Sequence, residues 1–263
     1  MKTLPEDFIQ YTQELMGDEL FQQLKQGITE GEAPTSIRLN PFKCKEGEDA
    51  AGEPIPWCPS TGRYLSTRPN FTFDPWLHAG KYYVQEASSM FVEQALKQYM
   101  GEEPVVMLDL CAAPGGKTTL YASLAGPDGL VVANEIDRRR AQVLADNVRK
   151  WGTGNVAVTT CEPRALGDFE AWFDVVAVDA PCSGEGMFRK DRDARGEWSE
   201  GNVKLCAARQ DELLREAWRA LKPGGVLIYS TCTFNRDEDE GALVGARMWQ
   251  FDIVFGDALP DHD

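Results

Sequence analysis

The sequence lacks several features, and each absence excludes a class of protein. It has no Cys-x-x-Cys pair, and its seven cysteines are odd in number and scattered, which argues against a disulfide framework and a zinc ribbon. We therefore predict no metal site. It also has no run of about eighteen apolar residues and no signal-like N-terminus, so we expect a cytoplasmic protein without membrane contact.

Basic residues are also scarce. The 27 Lys and Arg residues against 42 Asp and Glu residues give a formal net charge of -15, which excludes a protein that binds nucleic acid over its whole surface. Basic clusters at 138–140, 149–150 and 189–192 depart from this average. Such a cluster can hold phosphates locally, although the first two fit equally well on solvated helix faces.

The first 80 residues predict a small α+β subdomain. Apolar residues at helical spacing over 5–32 indicate two short amphipathic helices, interrupted near Gly17. Alternating apolar residues over 34–42 indicate a strand, and residues 43–75, rich in Gly, Pro and charge, indicate loops and short strands. We place the domain boundary near residue 80, with the main domain over 81–263.

In the main domain, predicted helices alternate with apolar strands. Strands are predicted at 105–112, 131–135, 155–160, 174–181 and 224–232. Helices are predicted at 86–98, 138–152 and 210–221, and a glycine turn followed by a helix at 113–126. This alternation predicts an α/β fold with a doubly wound, mostly parallel sheet. Ligands bind such sheets at the carboxyl ends of the strands.

Three segments place polar or small residues at such ends. The segment LDLCAAPGGKT, 108–118, brings glycines close to a helix start, with neither dinucleotide-binding nor P-loop spacing. Glu135 follows the next strand, about twenty residues on, where a carboxylate commonly accepts ribose hydroxyls. Glu162 follows the third strand and is a candidate for adenine contact. A surface Glu at a helix start is an open alternative for both.

Two further segments each deliver a thiol beside the same crevice. VVAVDAPCSGEG, 175–186, carries Cys182, and IYSTCT, 228–233, carries Cys232. A free Cys is usually a small buried apolar side chain, and its reactivity depends on thiolate character. Two thiols at two strand ends favour a reaction that uses sulfur twice.

Together these motifs resemble the Nop/Sun family of RNA cytosine-5 methyltransferases, and specifically its bacterial small-subunit ribosomal RNA branch. The matching segments stand in the order of that family: PTSIRLNP, YYVQEASSM, LDLCAAPGGKT, DAPCSGEGMFRKD and LKPGGVLIYSTCTFNRDEDE. They span roughly residues 34–249, and DAPCSGEG together with STCT is the most specific part. The resemblance implies a Rossmann-like class I methyltransferase domain that uses S-adenosylmethionine.

By this resemblance, a seven-residue loop lines the cofactor, and four other residues complete its contacts. The loop residues are Cys111, Ala112, Ala113, Pro114, Gly115, Gly116 and Lys117, and the others are Glu135, Arg140, Glu162 and Asp179. Asp is common in the family at the positions of Glu135 and Glu162. The longer Glu keeps the carboxylate, so we expect altered geometry rather than lost binding.

The resemblance further implies Cys232 as the nucleophile and Cys182 as the thiol that assists product release. C5 of cytosine is a poor nucleophile, and thiolate addition at C6 converts the ring into an enamine whose C5 can attack a methyl group. Asp179 and Lys117 are candidates to stabilise charge on the ring. A second group must act as base or relay when the C5 proton leaves.

The expected partner is RNA with an unpaired or flipped cytosine, because C6 is out of reach inside a duplex. Ribosomal RNA is the first expectation and transfer RNA the alternative, with the segment 187–195 holding phosphates and the protein acting as a monomer. Members of this branch often continue into another RNA-binding domain, so we expect a truncated or separately expressed catalytic part.

Three other functions compete with this interpretation. A DNA cytosine-5 methyltransferase would use Cys182 for the first step, but its Glu-Asn-Val motif is absent. A cofactor-binding ribosome assembly scaffold without turnover stays open, although the two thiols argue against it. A nicotinamide oxidoreductase is disfavoured by the glycine spacing.

Overall fold

The computed structural model describes residues 3–30, 33–44, 52–101, 103–191 and 193–245. In these ranges no helix has the length and apolar character needed to cross a membrane. The predictions that concern Arg192 and the segment after residue 245 fall outside the described residues.

The N-terminal part contains a long helix and an antiparallel sheet. Helix α1 (Glu6–Thr29) is interrupted at Gly17, whose φ of 79° is not helical, so the predicted break is confirmed. The sheet has the order β2-β3-β1-β4, and a short helix, α2, precedes its last strand. The bounds are β1 (Thr35–Leu39), β2 (Glu53–Ile55), β3 (Cys58–Leu65), α2 (Pro75–His78) and β4 (Tyr82–Val84).

The second sheet has five parallel strands in the order β7-β6-β5-β8-β9, which confirms the predicted doubly wound fold. Its strands are β5 (Val106–Asp109), β6 (Leu130–Asn134), β7 (Val156–Thr159), β8 (Phe173–Asp179) and β9 (Leu221–Ser230). Its helices are α3 (Val92–Tyr99), α4 (Gly116–Ala125), α5 (Arg138–Trp151), α6 (Pro163–Gly167), α7 (Ala194–Glu197), α8 (Glu200–Ala220) and α9 (Glu240–Gly245).

The central strands are buried on both faces, which explains their continuous apolar sequences. Met107, Val131 and Val175 pack into a core cluster on one face of the sheet. Their neighbours Leu108 and Val176 belong to a second cluster, on the face that α8 covers. All five side chains have no exposed surface, so the sheet forms the centre of this part of the molecule.

Two helices differ from the sequence predictions. The helix predicted at 86–98 begins only at Val92, after a 3-10 turn at Ser88–Met90. Helix α8 begins at Glu200 rather than at residue 210, because the Ser199 hydroxyl accepts a hydrogen bond of 3.1 Å from the Asn202 amide and caps the helix start.

A buried arginine joins the N-terminal sheet to helices α4 and α5. Arg38, on β1, is 1% exposed and lies 4.5 Å from the ring centroid of Trp151. Its guanidinium donates to Gln85 Oε1 at 2.7 Å, to the Gly116 carbonyl at 3.0 Å and to Thr119 Oγ1 at 2.5 Å. The first turn of α4 is therefore held from the N-terminal sheet.

The end of α5 is held by the segment that follows β1. Asn40 Nδ2 donates to the Trp151 carbonyl at 2.8 Å, and Lys43 Nζ donates to the Lys150 carbonyl at 2.7 Å. These carbonyls have no partner within the helix, and a cation there also stabilises the negative end of the helix dipole. The N-terminal part thus fixes the two helices that flank the glycine turn.

Candidate active site

The polar residues predicted from the sequence gather at the carboxyl ends of the parallel strands. The glycine turn follows β5, Glu135 follows β6, Asp179 ends β8, and Cys232 lies just after β9. The order of the strands reverses between β5 and β8, and in sheets of this type the crevice at that reversal is the usual binding site.

The turn between β5 and α4 presents backbone groups to this crevice. The Ala113–Pro114 peptide bond is cis, and Gly115 precedes α4 with a φ of 107°. Two side chains of α5 hold the turn in place: Arg140 NH2 donates to the Ala113 carbonyl at 3.0 Å, and Asn147 Nδ2 donates to the Pro114 carbonyl at 2.8 Å. A rigid turn of small residues lets a ligand approach the backbone closely.

A buried carboxyl group ends β5, directly before this turn. Asp109 is 1% exposed and accepts a hydrogen bond of 2.6 Å from Thr118 Oγ1. Burial raises the pKa of Asp109 to about 7, the Thr118 hydrogen bond opposes this shift, and the charge of Asp179 adds to it. The crevice therefore contains a group that changes charge near neutral pH. Sequence reasoning did not single out this residue.

Glu135 is fixed in the crevice, whereas Glu162 is not. The Glu135 side chain is almost fully buried, its Oε2 lies 3.2 Å from Arg140 NH1, and its Oε1 accepts from the Asp137 amide at 3.0 Å. Glu162 is exposed at the start of α6, where its side chain makes no capping hydrogen bond. The structure thus joins Glu135 with Arg140 and leaves Glu162 outside this contact.

Cys182 and Cys232 face each other across the ends of β8 and β9, with their Sγ atoms 3.2 Å apart. Gly186 makes this approach possible, because its amide donates to the Cys232 carbonyl at 2.6 Å. A Cβ atom on Gly186 would lie 2.7 Å from that oxygen, closer than van der Waals contact allows. The glycine therefore lets the two cysteine loops touch.

The hydrogen bond between the two thiols shifts their pKa values in opposite directions. Donation from Cys232 lowers the pKa of Cys182, and the backbone amides of Cys232 and Gly184 act in the same sense, while burial opposes them. The same hydrogen bond and burial raise the pKa of Cys232, and Lys117 partly offsets this. These shifts favour the thiolate on Cys182, with the proton of Cys232 held in the hydrogen bond between the two sulfurs.

A cation and a carboxylate lie close to the thiol pair. Lys117 Nζ is 2.7 Å from Asp179 Oδ1, and Ser230 Oγ donates to the same oxygen at 2.8 Å. The charge of Lys117 lowers the pKa of Cys232 and the charge of Asp179 raises it, so both charges act on the Cys232 thiol. One polar surface at the strand ends is therefore formed by Lys117, Asp179, Ser230, Cys232 and Cys182.

Cys111 differs from the other two thiols at this edge of the sheet. Burial raises the pKa of Cys111 to about 12, and the charges of Asp109 and Glu135 add to the shift. It packs against the cluster that contains Leu108. Cys111 is therefore a neutral thiol at physiological pH and serves as a small side chain in the turn.

Sequence reasoning missed three buried polar side chains beside the thiols. Glu185, Asn235 and Glu238 are each at most 1% exposed. Glu185 lies three residues after Cys182, and Asn235 lies three residues after Cys232. This shared spacing is the signal that could have identified Glu185 and Asn235, since polar side chains in short loops often bond to nearby backbone amides.

Comparison with known families matches two adjoining parts of the chain. Residues 4–87 match the N-terminal domain of 16S rRNA methyltransferase RsmF. Residues 94–247, more than half of the chain, match the family described as 16S rRNA methyltransferase RsmB/F.

Curated relatives carry the same description. The ribosomal RNA small subunit methyltransferase F of Pectobacterium atrosepticum is 38% identical over 253 residues, which cover 90% of this chain and 51% of that protein. The protein of the same name from Vibrio campbellii is 37% identical over 271 residues, 97% of this chain and 55% of that protein. The chain spans about half the length of the curated relatives it matches.

A solved structure has a similar fold over most of this chain. A methyltransferase homologue from Pyrococcus horikoshii is 29% identical, with a TM-score of 0.77, over 92% of this chain and 78% of that one. The resemblance drawn from the sequence motifs is thereby confirmed. The chain belongs to the RsmB/F family of 16S rRNA methyltransferases.

Proposed function

We propose that this chain transfers a methyl group from S-adenosylmethionine to C5 of a cytosine in ribosomal RNA, with Cys232 as the nucleophile. Family membership supports the reaction class. The observation that carries the proposal is the 3.2 Å contact between the Sγ atoms of Cys182 and Cys232, beside the ion pair of Lys117 and Asp179. C5 methylation needs one sulfur to add to the ring and a second group to take a proton in the same place.

The crevice fits S-adenosylmethionine, which supplies an electrophilic methyl group when bound. The turn at Gly115 has the small residues that close approach of a ligand requires, and α5 holds this turn rigid. Glu135 ends the neighbouring strand, where a carboxylate can accept ribose hydroxyls. The nearby carboxylate of Asp179 suits a positively charged ligand.

The thiol pair can generate its own nucleophile. As the Cys232 sulfur bonds to C6 of the cytosine, its bound proton becomes more acidic, and the Cys182 thiolate takes that proton in the same step. Negative charge then accumulates on the ring, where the Lys117 ammonium stabilises it. Addition makes C5 electron-rich, so that C5 can accept the methyl group.

Release requires the second thiol. Once Cys182 has passed its proton to solvent, its thiolate can remove the proton from C5. The electron pair of that C–H bond restores the ring double bond, and the bond between C6 and Cys232 breaks. The cytosine has then exchanged a hydrogen for a methyl group, and Cys232 leaves as a thiolate, which takes the proton now on Cys182 and restores the starting pair.

The test uses single cysteine variants with labelled S-adenosylmethionine and transcribed small-subunit ribosomal RNA. Cys182→Ala should accumulate a covalent protein–RNA adduct that survives denaturing electrophoresis, because release is blocked. Addition still proceeds in this variant, since the hydrogen bond that raises the pKa of Cys232 is gone and Cys232 can lose its proton to solvent. Cys232→Ala should lose both the adduct and methylation. Cys44→Ala, which alters a half-buried thiol in the N-terminal part, serves as the control and should behave as the wild type. A Cys232→Ala protein with near-normal turnover contradicts the proposal.

The lowered pKa of Cys182 favours a second candidate, in which Cys182 itself attacks C6. The same variants separate the two. If Cys182 attacks C6, Cys232→Ala would trap the covalent adduct and Cys182→Ala would abolish it. A transfer RNA transcript in a parallel reaction tests the alternative substrate, and calorimetric titration with S-adenosylmethionine tests cofactor binding without any RNA.

A further inference from the structure

Two buried carboxylates hold the cysteine loops together in a reciprocal way. The loop after β8, residues 180–188, contains Cys182, and the loop after β9, residues 231–239, contains Cys232. Glu238, from the β9 loop, accepts a hydrogen bond of 2.9 Å from the Ser183 amide in the β8 loop. In return, Glu185 from the β8 loop accepts one of 2.6 Å from the Phe234 amide in the β9 loop.

One side chain bridges the two carboxylates. Asn235 Nδ2 donates to Glu185 Oε1 at 3.0 Å and to Glu238 Oε1 at 2.9 Å. Its Oδ1 accepts from the Glu238 amide at 2.9 Å, so both ends of the Asn235 amide group are engaged. The three side chains therefore form a single hydrogen-bonded unit across the two loops.

Helix α8 and the segment before it anchor this unit from outside. Gln210 Nε2 donates to Glu238 Oε2 and to the carbonyl of Pro181, both at 3.0 Å, and Pro181 directly precedes Cys182. Trp198 Nε1 donates to Glu185 Oε1 at 2.9 Å. These contacts with α8 and with Trp198 thus hold each loop in position.

Burying the carboxylates of Glu185 and Glu238 costs folding free energy. Glu185 is 1% exposed and Glu238 is fully buried, and the partners named above are neutral amides and an indole. Burial raises the pKa of Glu185, and the charge of Glu238 adds to the shift. Within the part of the chain that the structure describes, neither carboxylate has an ion pair. Burying a carboxylate without one is expensive, and such costs are concentrated at sites where geometry matters for function.

We propose that Glu185 and Glu238, bridged by Asn235, are positioning residues that set the distance between the Cys182 and Cys232 thiols. This role rests on the proposed function, because the thiol distance governs proton transfer within the pair and the release step. The carboxylates touch neither thiol in the structure. They act through the amides of Ser183 and Phe234, which lie one and two residues from the sulfurs.

The test measures the thiol distance independently of methylation. Phenylarsine oxide bridges two thiols only when their sulfurs are close, so wild-type protein should bind it in a 1:1 complex and Cys182→Ala should not. Glu238→Gln and Glu185→Gln keep the side-chain shape but weaken acceptance from the backbone amides. Each should lower arsenical affinity at least tenfold, with S-adenosylmethionine binding unchanged.

Activity gives the second measurement. Both variants should reduce kcat at least tenfold and leave KM for RNA unchanged, whereas a general loss of folded protein would lower both cofactor binding and the thermal midpoint. Glu19→Gln, at an exposed position of α1, is the matched control and should equal the wild type in every measurement.

The outcomes separate the two proposals. If wild-type protein shows no methyl transfer, the proposed function fails, and the arsenical titration still decides the positioning role. Folded variants with wild-type arsenical affinity overturn that role. If both variants fail to fold, the network is an element of stability alone, and the positioning role is likewise overturned.

Discussion

The contact between Gly186 and the Cys232 backbone predicts a large effect from one methyl group. In Gly186→Ala, the new Cβ would lie 2.7 Å from the Cys232 carbonyl oxygen and 3.2 Å from Cys232 Cβ. Ordinary contact begins at 3.4 Å, so the backbone must move by about 0.7 Å, the difference between 3.4 and 2.7 Å. The φ of Gly186 is not in the left-handed region, so the expected effect comes from this close approach alone.

Gly186→Ala should lower both the stability of the protein and the rate of methyl transfer. Overpacking a buried contact typically costs about 1–3 kcal/mol, which urea denaturation would detect as a lower midpoint at an unchanged slope. A displacement approaching 1 Å at reacting groups lowers rates by up to about 100-fold, so we expect the single-turnover rate of methyl transfer to fall roughly 10- to 100-fold. Cofactor affinity should stay unchanged, because the glycine turn lies on a different strand.

Gly201→Ala is the matched control. The Cβ added there would meet only Ser199 Oγ, at 3.9 Å, in the first turn of α8. Its rate should equal that of the wild type, and its stability should rise by up to about 1 kcal/mol, since Ala favours the helix over Gly. A Gly186→Ala protein whose rate and stability lie within error of the Gly201→Ala protein would refute the reasoning.

Three further predictions concern the groups around the site. Burial raises the pKa of Asp109 from 3.8 to about 7, so the folded protein holds a proton that the unfolded chain has released, and stability falls as pH rises through this window. In urea denaturation, the free energy of unfolding of the wild type should therefore fall by up to about 3 kcal/mol relative to that of Asp109→Asn between about pH 5 and 8. A difference between the two proteins that does not change with pH would contradict this. Alkylation of Cys232 by iodoacetamide should slow in Lys117→Met and accelerate in Asp179→Asn, because these charges shift the pKa of Cys232 in opposite directions; equal rates in the two variants would count against it. Arg38→Lys should lower the free energy of unfolding by about 3 kcal/mol, because an ammonium cannot reproduce the buried planar hydrogen bonds, and a loss below about 1 kcal/mol would be too small for this explanation.

The parallel sheet was predictable because its signals are local. Buried strands such as Phe173–Asp179 are continuous apolar runs, and amphipathic helices separate them. The position of the site followed from the same pattern, since ligands bind at the carboxyl ends of parallel strands. The start of α8 was missed because a serine cap and a polar first turn carry little hydrophobic periodicity.

The sequence by itself determined which residues reach the strand ends, and the tertiary structure alone decided how they meet. The thiol contact joins residues 50 positions apart, and the bond from the Ser183 amide to Glu238 joins residues 55 apart. No local pattern encodes such distances, which decide the pKa values of Cys182 and Cys232. Likewise, only packing shows that Glu135 is held by Arg140 while Glu162 stays exposed, because burial depends on what other segments bring to each strand end.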